Sequence, residues 1–390
     1  MTAAPQPPQA PKPGVSGDRL RALRTAIVLP LIAVILAILI GSVFIYAADL
    51  IAHQGAFDFG KPITAYAALV KGSLLGFDPL IETLKQAAPL VLGGLAVAIG
   101  FKAGLFNIGV QGQFLMGVLG SVAVGVALAK QPVWIAFPLA LIAGTLAGAA
   151  FGSIVGILKA YSGAHEVVTT IMLNYIAGNI LAAFVVGPLR VPRAPAPITY
   201  SDGDGAHPIF LGKTGHIGIL IAVVAVVVIW WILYRTTFGF EIRTAGANPE
   251  AARYAGMRPR RIIILTMAIA GGLGGLAGAG ELLGVTHQTQ SSFATTVGFD
   301  AIAVALLARS NPLAIIPAAL LFGAMRAGAG QMQIQAGTPR ELVDVLQAMI
   351  LLVLVILPVL ARRLSGRGGR VMPIEAQTIT TSYGSESVPS

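Results

Sequence analysis

The chain of 390 residues is 56% hydrophobic and only 11% charged, with a mean hydropathy of +0.82 and a formal net charge of +10. A soluble domain carries roughly 25% charged residues, and no long polar stretch is left here to build a large soluble enzyme. Without cysteine there is no disulfide, thiolate nucleophile, Cys-ligated zinc or iron–sulfur cluster, and the basic balance fits arginines kept on the cytoplasmic side of a membrane better than a nucleic-acid partner.

Residues 1–18 are rich in Pro, Gln and Ala and read as a disordered tail. Arg19, Arg21 and Arg24 then precede an apolar run from Ala26 to Ala48, too long for a cleavable signal, so an uncleaved first helix is expected. Further apolar segments of spanning length follow near 82–101, 105–128, 133–158, 166–187, 214–234, 262–283, 297–310, 312–330 and 342–361. The expectation is an all-α polytopic membrane protein of about ten helices, with a membrane domain over 19–363 and a flexible tail over 364–390. Of these segments the pair at 297–330 also fits a re-entrant hairpin.

With the arginine-flanked N-terminus inside, an even count puts the C-terminus inside too. The 235–261 loop is then cytoplasmic, and its arginines (Arg235, Arg243, Arg253, Arg258, Arg260, Arg261) agree, as do Arg362, Arg363, Arg367 and Arg370 in the tail. Two loops on the other side, 49–81 and 188–213, are long enough for surface helices or plugs.

In "GTLAGAAFGSIVG" the glycines 144, 148, 152 and 156 recur every four residues, and "GGLGGLAGAG" repeats the spacing at 271/275 and 274/278. Small residues at that interval let two backbones approach closely in lipid, and such smooth faces also suit helices that slide during transport. The partial dinucleotide pattern in "GGLGGLA" sits inside a span without a βαβ unit, and "LGKT" at 211–214 lacks the Walker A glycine, with His207 in its place. The five histidines are scattered, and "HEVVTT" has no second histidine for zinc, so no metal or other cofactor is expected.

Polar residues interrupt two spans: Asn107, Gln111 and Gln113 in "GLFNIGVQGQFLMG", and Thr169, Thr170, Asn174 and Tyr175 in "HEVVTTIMLNYIA". Buried amides in lipid need partners. They act as interhelical glue or line a path for an uncharged, hydroxyl-rich solute, for which amides supply both donors and acceptors. The glycines beside Asn107 permit a broken helix. Glu281, Asp300 and Arg326 lie within or at the ends of spans, where a structural ion pair and a functional group are both open readings.

In the 235–261 loop, "ANPEAARYAGM" reads as a short amphipathic helix. Asn248 caps it, Pro249 takes the first helical position, Glu250 sits in the first turn and Gly256 ends it. A short helix capped at both ends between two spans is built to dock on another protein.

"EAARYAG", Glu250 to Gly256, resembles the EAA-x-x-x-G signature of permeases of ATP-binding-cassette (ABC) importers, and its flanks resemble the permeases of bacterial nucleoside importers. These are relatives of the ribose and branched-chain amino acid permeases. "GLFNIGVQGQ" resembles that family's "GLFNIGAEGQ", and "HEVVTTIMLNYIA" its "NEVISTLMLNYIA". The segment 298–328 fits the same family. Gln111 stands where the family usually has Glu, and His165 where it usually has Asn.

The resemblance implies a nucleoside permease of the bacterial cytoplasmic membrane without an ATP site of its own. Separate ATPase subunits would engage Asn248, Pro249, Glu250, Ala251, Ala252, Arg253 and Gly256. A homologous or identical second permease and an extracytoplasmic lipoprotein would complete the importer. A sugar or amino acid permease of the same superfamily is the nearest alternative, and a stand-alone secondary transporter or a structural membrane scaffold the alternatives of another class.

Overall fold

The computed structural model describes residues 32, 34–50, 59–192, 194, 198–199, 209–211, 215–290 and 296–364. The tail at 1–18, the arginines that follow it, and the 364–390 tail apart from Leu364 lie outside the described residues.

The helices are α1 (Val34–Leu50), α2 (Lys61–Ser73), α3 (Phe77–Lys102), α4 (Val110–Ala127), α5 (Val133–Ser162), α6 (Glu166–Val186) and α7 (Gly218–Arg235). Then come α8 (Thr237–Ala247), α9 (Pro249–Tyr254), α10 (Pro259–Glu281), α11 (Val297–Leu307), α12 (Pro312–Ala336) and α13 (Glu341–Leu364), with one π-helical turn, Leu282–Thr286, after α10. A two-stranded antiparallel ribbon, β1 (Ile209–Leu211) and β2 (Gly215–His216), precedes α7.

Seven of these helices are long and apolar enough to cross a membrane: α3 to α7, α10 with its π turn, and α12. Within the described residues each of the ten expected apolar segments holds a helix, the first from Val34 on, with 26–31 and 33 outside the described residues, but not each is a full span. α11 has 11 residues, about 16 Å at 1.5 Å per residue, roughly half the hydrocarbon thickness. It turns through Arg309 and Ser310, both at positive φ, into α12, whose first turn is capped by Asn311 Oδ1 accepting from Leu313 N (3.1 Å). Residues 297–310, expected as a span, are therefore a half-length helix joined to α12.

α3 runs through the middle of the bundle, buried continuously from Ala87 to Gly100. Around it one apolar core joins α4 to α7 and α10 to α12, and a second, smaller cluster joins α1, α2, α13 and the distal half of α12. Within the long loops, 49–81 supplies α2, which lies along α12 where Gly72 meets Gln331 and Gly328. The described part of 188–213 supplies β1 and two isolated bridges.

The four-residue glycine spacing proves to be a seam between α5 and α10. A Cβ on Gly144 would lie 2.7 Å from Ala279 Cβ on α10 and 2.6 Å from the Gly117 carbonyl on α4, and one on Gly156 would lie 2.8 Å from Ile264 Cα. Gly148 and Gly152 meet the backbone of Gly271, Gly275 and Met267. Gly274 and Gly278 face the opposite way, against Gln113 and Phe114 of α4. α10 is thus smooth on two sides and sits between α4 and α5 at backbone contact.

Candidate functional site: an interrupted helix pair and a capped hairpin helix

The stretch 103–109 between α3 and α4 is not helical. The expected span at 105–128 therefore begins at Val110, and Asn107 lies in the break instead of on α4. Gly104 makes the turn possible, at φ +71, with its Cα side against Gly246 of α8. The backbone is satisfied locally: Ala103 N and Leu105 N donate to Gly100 O (2.9 Å each) and Gly104 N to Phe101 O (3.1 Å). Irregular backbone at membrane depth is tolerated only where protein covers it, and here Ala103, Leu105, Asn107 and Gly109 are all buried.

The sequence-identified amides hold this break. Asn107 Oδ1 accepts from Gly109 N (3.0 Å), and Asn107 and Gln113 exchange a reciprocal pair of amide bonds, Nδ2 to Oε1 at 3.2 Å and Nε2 to Oδ1 at 3.3 Å. Asn174, about 12 Å along α6 from its start at 1.5 Å per residue, spans the gap. Its Oδ1 accepts from Gly112 N (2.8 Å) and its Nδ2 donates to Ile108 O (3.1 Å). Because Gly109 offers α4 no capping side chain, Asn174 caps α4 from another helix.

Gln111 performs the same service for α11. Its Oε1 accepts from Gly298 N in the first turn of α11 (2.9 Å), where the two backbones touch. A glutamate at this position would accept the same bond and add a charge. Gln111 keeps the bond without the charge.

The remaining predicted residues divide. Thr170 is buried and donates to Glu166 O (2.7 Å). Thr169 is half-buried and donates to His165 O (3.0 Å). Tyr175 is 69% exposed on the outside of α6 and is not brought to the break. Of the charged residues, Arg326 pairs with Asp300 and donates to Thr296 Oγ1 (2.7 Å), tying α12 to the start of α11. Glu166, not singled out in the sequence, binds Lys159 at 2.8 Å across the α5–α6 turn.

The second site is the α8–α9 hairpin. α8 was not expected. Thr236 caps it, accepting from Gly239 N (3.1 Å), and Gly239 and Gly246 press its backbone onto α7 and onto the α3 terminus. α9 forms as the sequence suggests: Asn248 Oδ1 accepts from Glu250 N and Ala251 N (3.0 Å each), Pro249 opens the helix, and Gly256 follows it at φ +79. Ala252 is the buried anchor, while Glu250, Ala251 and Arg253 are exposed. Tyr254 is 94% exposed at the tip, a residue that sequence reasoning passed over, although an aromatic among alanines on a short helix was the available signal.

A family model for the branched-chain amino acid transport system permease component matches residues 80–355. The guanosine ABC transporter permease protein NupP of Bacillus subtilis (strain 168) is 39% identical over 331 residues, covering 84% of this chain and 92% of NupP. The nucleoside ABC transporter permease protein NupB of Lactococcus lactis subsp. cremoris is 36% identical, covering 83% and 89%. The glucose ABC transporter permease protein TsgB13 of Haloferax volcanii is 32% identical, covering 84% and 86%. No solved structure matches the chain. A helical bundle with a central interrupted helix, matched along most of its length to ABC permeases, identifies the chain as a member of the branched-chain amino acid transport system permease family, an integral protein of the cytoplasmic membrane.

Proposed function

We propose that this protein is the membrane permease of an ABC importer for nucleosides, and that α9 is the helix through which separate ATPase subunits drive it. The carrying observation is α9 itself: six residues capped at both ends, anchored by Ala252 and otherwise turned outward to Tyr254. A loop that merely joined two spans would need neither caps nor an exposed aromatic. α8 makes α9 a lever, because its glycines fix it to α7 and to the end of α3, so a force on α9 reaches the helix that leads into the break.

In this reading the α9 end of the bundle, with its arginines, is cytoplasmic. The substrate path runs past the α3–α4 break, and Asn107, Gln111, Gln113, Thr170 and Asn174 hold its walls. Through hydrogen bonds to one another and to backbone, these side chains shape the path by positioning the first turns of α4 and α11. The chain carries no ATP site of its own. A second permease, homologous or identical, and an external lipoprotein that delivers substrate complete the assembly. ATP-driven closure moves α9 and rocks the glycine-packed helices, opening the path alternately. The nucleoside substrate is supported by the similarity to NupP and NupB, which exceeds that to the glucose permease TsgB13.

Two experiments test this. Glu250→Ala and Gly256→Arg are expected to abolish uptake while the protein still reaches the membrane. At Gly256 an added Cβ meets nothing within 4 Å, and the positive φ of +79 is a conformation that a residue other than glycine adopts only with strain. Normal uptake in both variants refutes the coupling role. A deletion strain assayed with labelled nucleosides, ribose, glucose and amino acids reads the substrate directly, and intact nucleoside uptake in a strain without redundant systems refutes the assignment.

A further inference from the structure

Beside α9, where α5 ends and α10 begins, is a cavity of about 680 Å³ lined by Arg253, Arg258, Arg260 and Arg261, with Tyr161 and Leu265 on its flank. All four arginines are exposed, and among the described residues none pairs with a carboxylate. The nearest acid on the α5–α6 turn, Glu166, is already engaged by Lys159 at 2.8 Å. The Arg260 guanidinium lies over the Tyr161 ring, 5.5 Å from its centroid, which orders one cation at the rim and leaves its N–H edge for an anion. Four unneutralised guanidiniums around one concavity call for a ligand of concentrated negative charge.

The apolar surface says which. Ile154, Ile157 and Leu158 are exposed on α5 and lead down to Tyr161, itself 69% exposed, with Leu265 exposed on the adjoining turn of α10. α5 has 30 residues, about 45 Å at 1.5 Å per residue. That exceeds the roughly 30 Å of hydrocarbon and matches a bilayer with its headgroups. Its last turn therefore emerges at headgroup depth, where an amphipathic Tyr is at home. An acyl chain lying along the α5 stripe would bring its phosphodiester into the arginine cavity.

We propose that this cavity binds the headgroup of an anionic phospholipid of the inner leaflet, clamping the α5–α10 seam and the root of α9 to the membrane surface. The proposal rests on the cytoplasmic placement of the α9 end argued above. Arg253 belongs both to α9 and to the cavity, so lipid and ATPase meet at that residue, and the variants below leave it unchanged.

The test uses the full chain in phosphatidylcholine nanodiscs titrated with phosphatidylglycerol and read by native mass spectrometry. R258Q/R260Q/R261Q is expected to bind phosphatidylglycerol about a hundredfold more weakly than the wild type, at roughly one kcal/mol per basic residue near the surface. R258K/R260K/R261K, which keeps the charge, should recover most of the loss. If the Gln variant's melting temperature in phosphatidylcholine shows misfolding, R260Q alone replaces it, with about a fivefold loss expected.

Unchanged lipid affinity in the Gln variants overturns the proposal, and if ATPase co-purification is lost at the same time the cavity is a protein dock instead. Displacement of the lipid by millimolar inorganic phosphate, with no preference for the lipid, overturns it as well and leaves a free-phosphate site. Nanodiscs expose both faces, so this result is independent of orientation. Orientation is read separately: in this cysteine-free chain, Y254C should react with a membrane-impermeant maleimide only from the cytoplasmic side.

Discussion

Along the α5–α10 seam, Gly148 and Gly152 meet Gly271 and Gly275 with no polar side chain between them. At the α3–α4 break, Asn107, Gln113, Asn174 and Gln111 fill the corresponding space with hydrogen bonds. Both regions bring backbone against backbone in a medium where apolar burial supplies no net drive between helices. The seam does so with regular helices whose N–H and C=O groups are already paired, so surface fit alone holds it. The break cannot, because its helices are interrupted and unpaired backbone groups in lipid are costly. The side chains at each place follow from that difference: absence of Cβ where the ladder is intact, terminal amides where it is broken.

If the seam depends on shape only, it should be intolerant of any added volume and indifferent to polarity. Gly148→Leu forces a side chain into the Gly271 carbonyl and the Gly275 backbone. We expect a loss of about 5 kcal/mol or failure to fold, read as loss of a monodisperse elution peak, and Gly148→Ser should be nearly as harmful. If the break depends on hydrogen bonding, the order of substitutions there reverses. Asn174→Leu, close in volume, leaves Gly112 N–H and Ile108 C=O unpaired, and at roughly 1–3 kcal/mol each this costs about 4 kcal/mol. Asn174→Asp keeps the acceptor for Gly112 and loses only the donor, so it should sit between Leu and wild type in thermal melting. Equal melting for Leu and Asp removes the hydrogen-bond account of the break.

The same contrast explains what was readable from residues alone. The seam was legible because its cause is local: glycines at a four-residue interval say which face is smooth, whatever lies opposite. The caps of α9 were legible for the same reason, since Asn248 acts on Glu250 and Ala251. A broken helix was legible in the glycines beside Asn107, but the point where α4 starts was not, because "AGLFNIG" is as apolar as a helix and the bonds that hold the first turns of α4 and α11 join residues 62 and 187 apart. α8 escaped notice because it carries no apolar run. What holds it is the close approach of Gly239 and Gly246 to other backbones. The short length of α11 was left open by the sequence, in which 297–330 also fits a re-entrant hairpin, and its contact with Gln111 is not registered by hydropathy.

A third junction tests whether a polar contact at the rim behaves like those at the break. His216 on β2 is buried against Gly284 of the π turn, and its Nδ1 accepts from Gly218 N at 3.1 Å, so the ring is neutral with its proton on Nε2. Burial pushes its pKa down to about 4, with the positive charges of Lys85 and His287 adding and Glu82 opposing. The folded value lies below the unfolded one near 6.5, so the unfolded chain takes up the proton first. Stability from this residue is complete above about pH 6.5 and falls as pH drops toward 4, by up to about 3 kcal/mol. Melting temperature should decline over that window, and His216→Asn, which retains an acceptor for Gly218, should flatten the decline. A wild-type curve level across the window contradicts the assignment.

The smallest effect concerns the start of α6, the helix that carries Asn174 to the break. His165 is its N-cap residue, in an extended conformation (φ −71, ψ 115), and makes no capping bond from its side chain. Asn248 and Asn311 show what an amide does at the same place in this chain: each Oδ1 accepts from the first-turn N–H groups of its helix. His165→Asn, which restores the residue usual in the family, should therefore add about 1 kcal/mol and raise the melting temperature without altering uptake. Since α6 supplies the cap of α4 through Asn174, the gain should be smaller in an Asn174→Leu background, where α6 no longer closes the break. Additive gains in the two backgrounds would mean that α6 folds independently of the break. A loss on His165→Asn would mean that the imidazole itself makes a contact stronger than a cap, and would turn the departure from the family pattern at this position into a feature of this transporter's own chemistry.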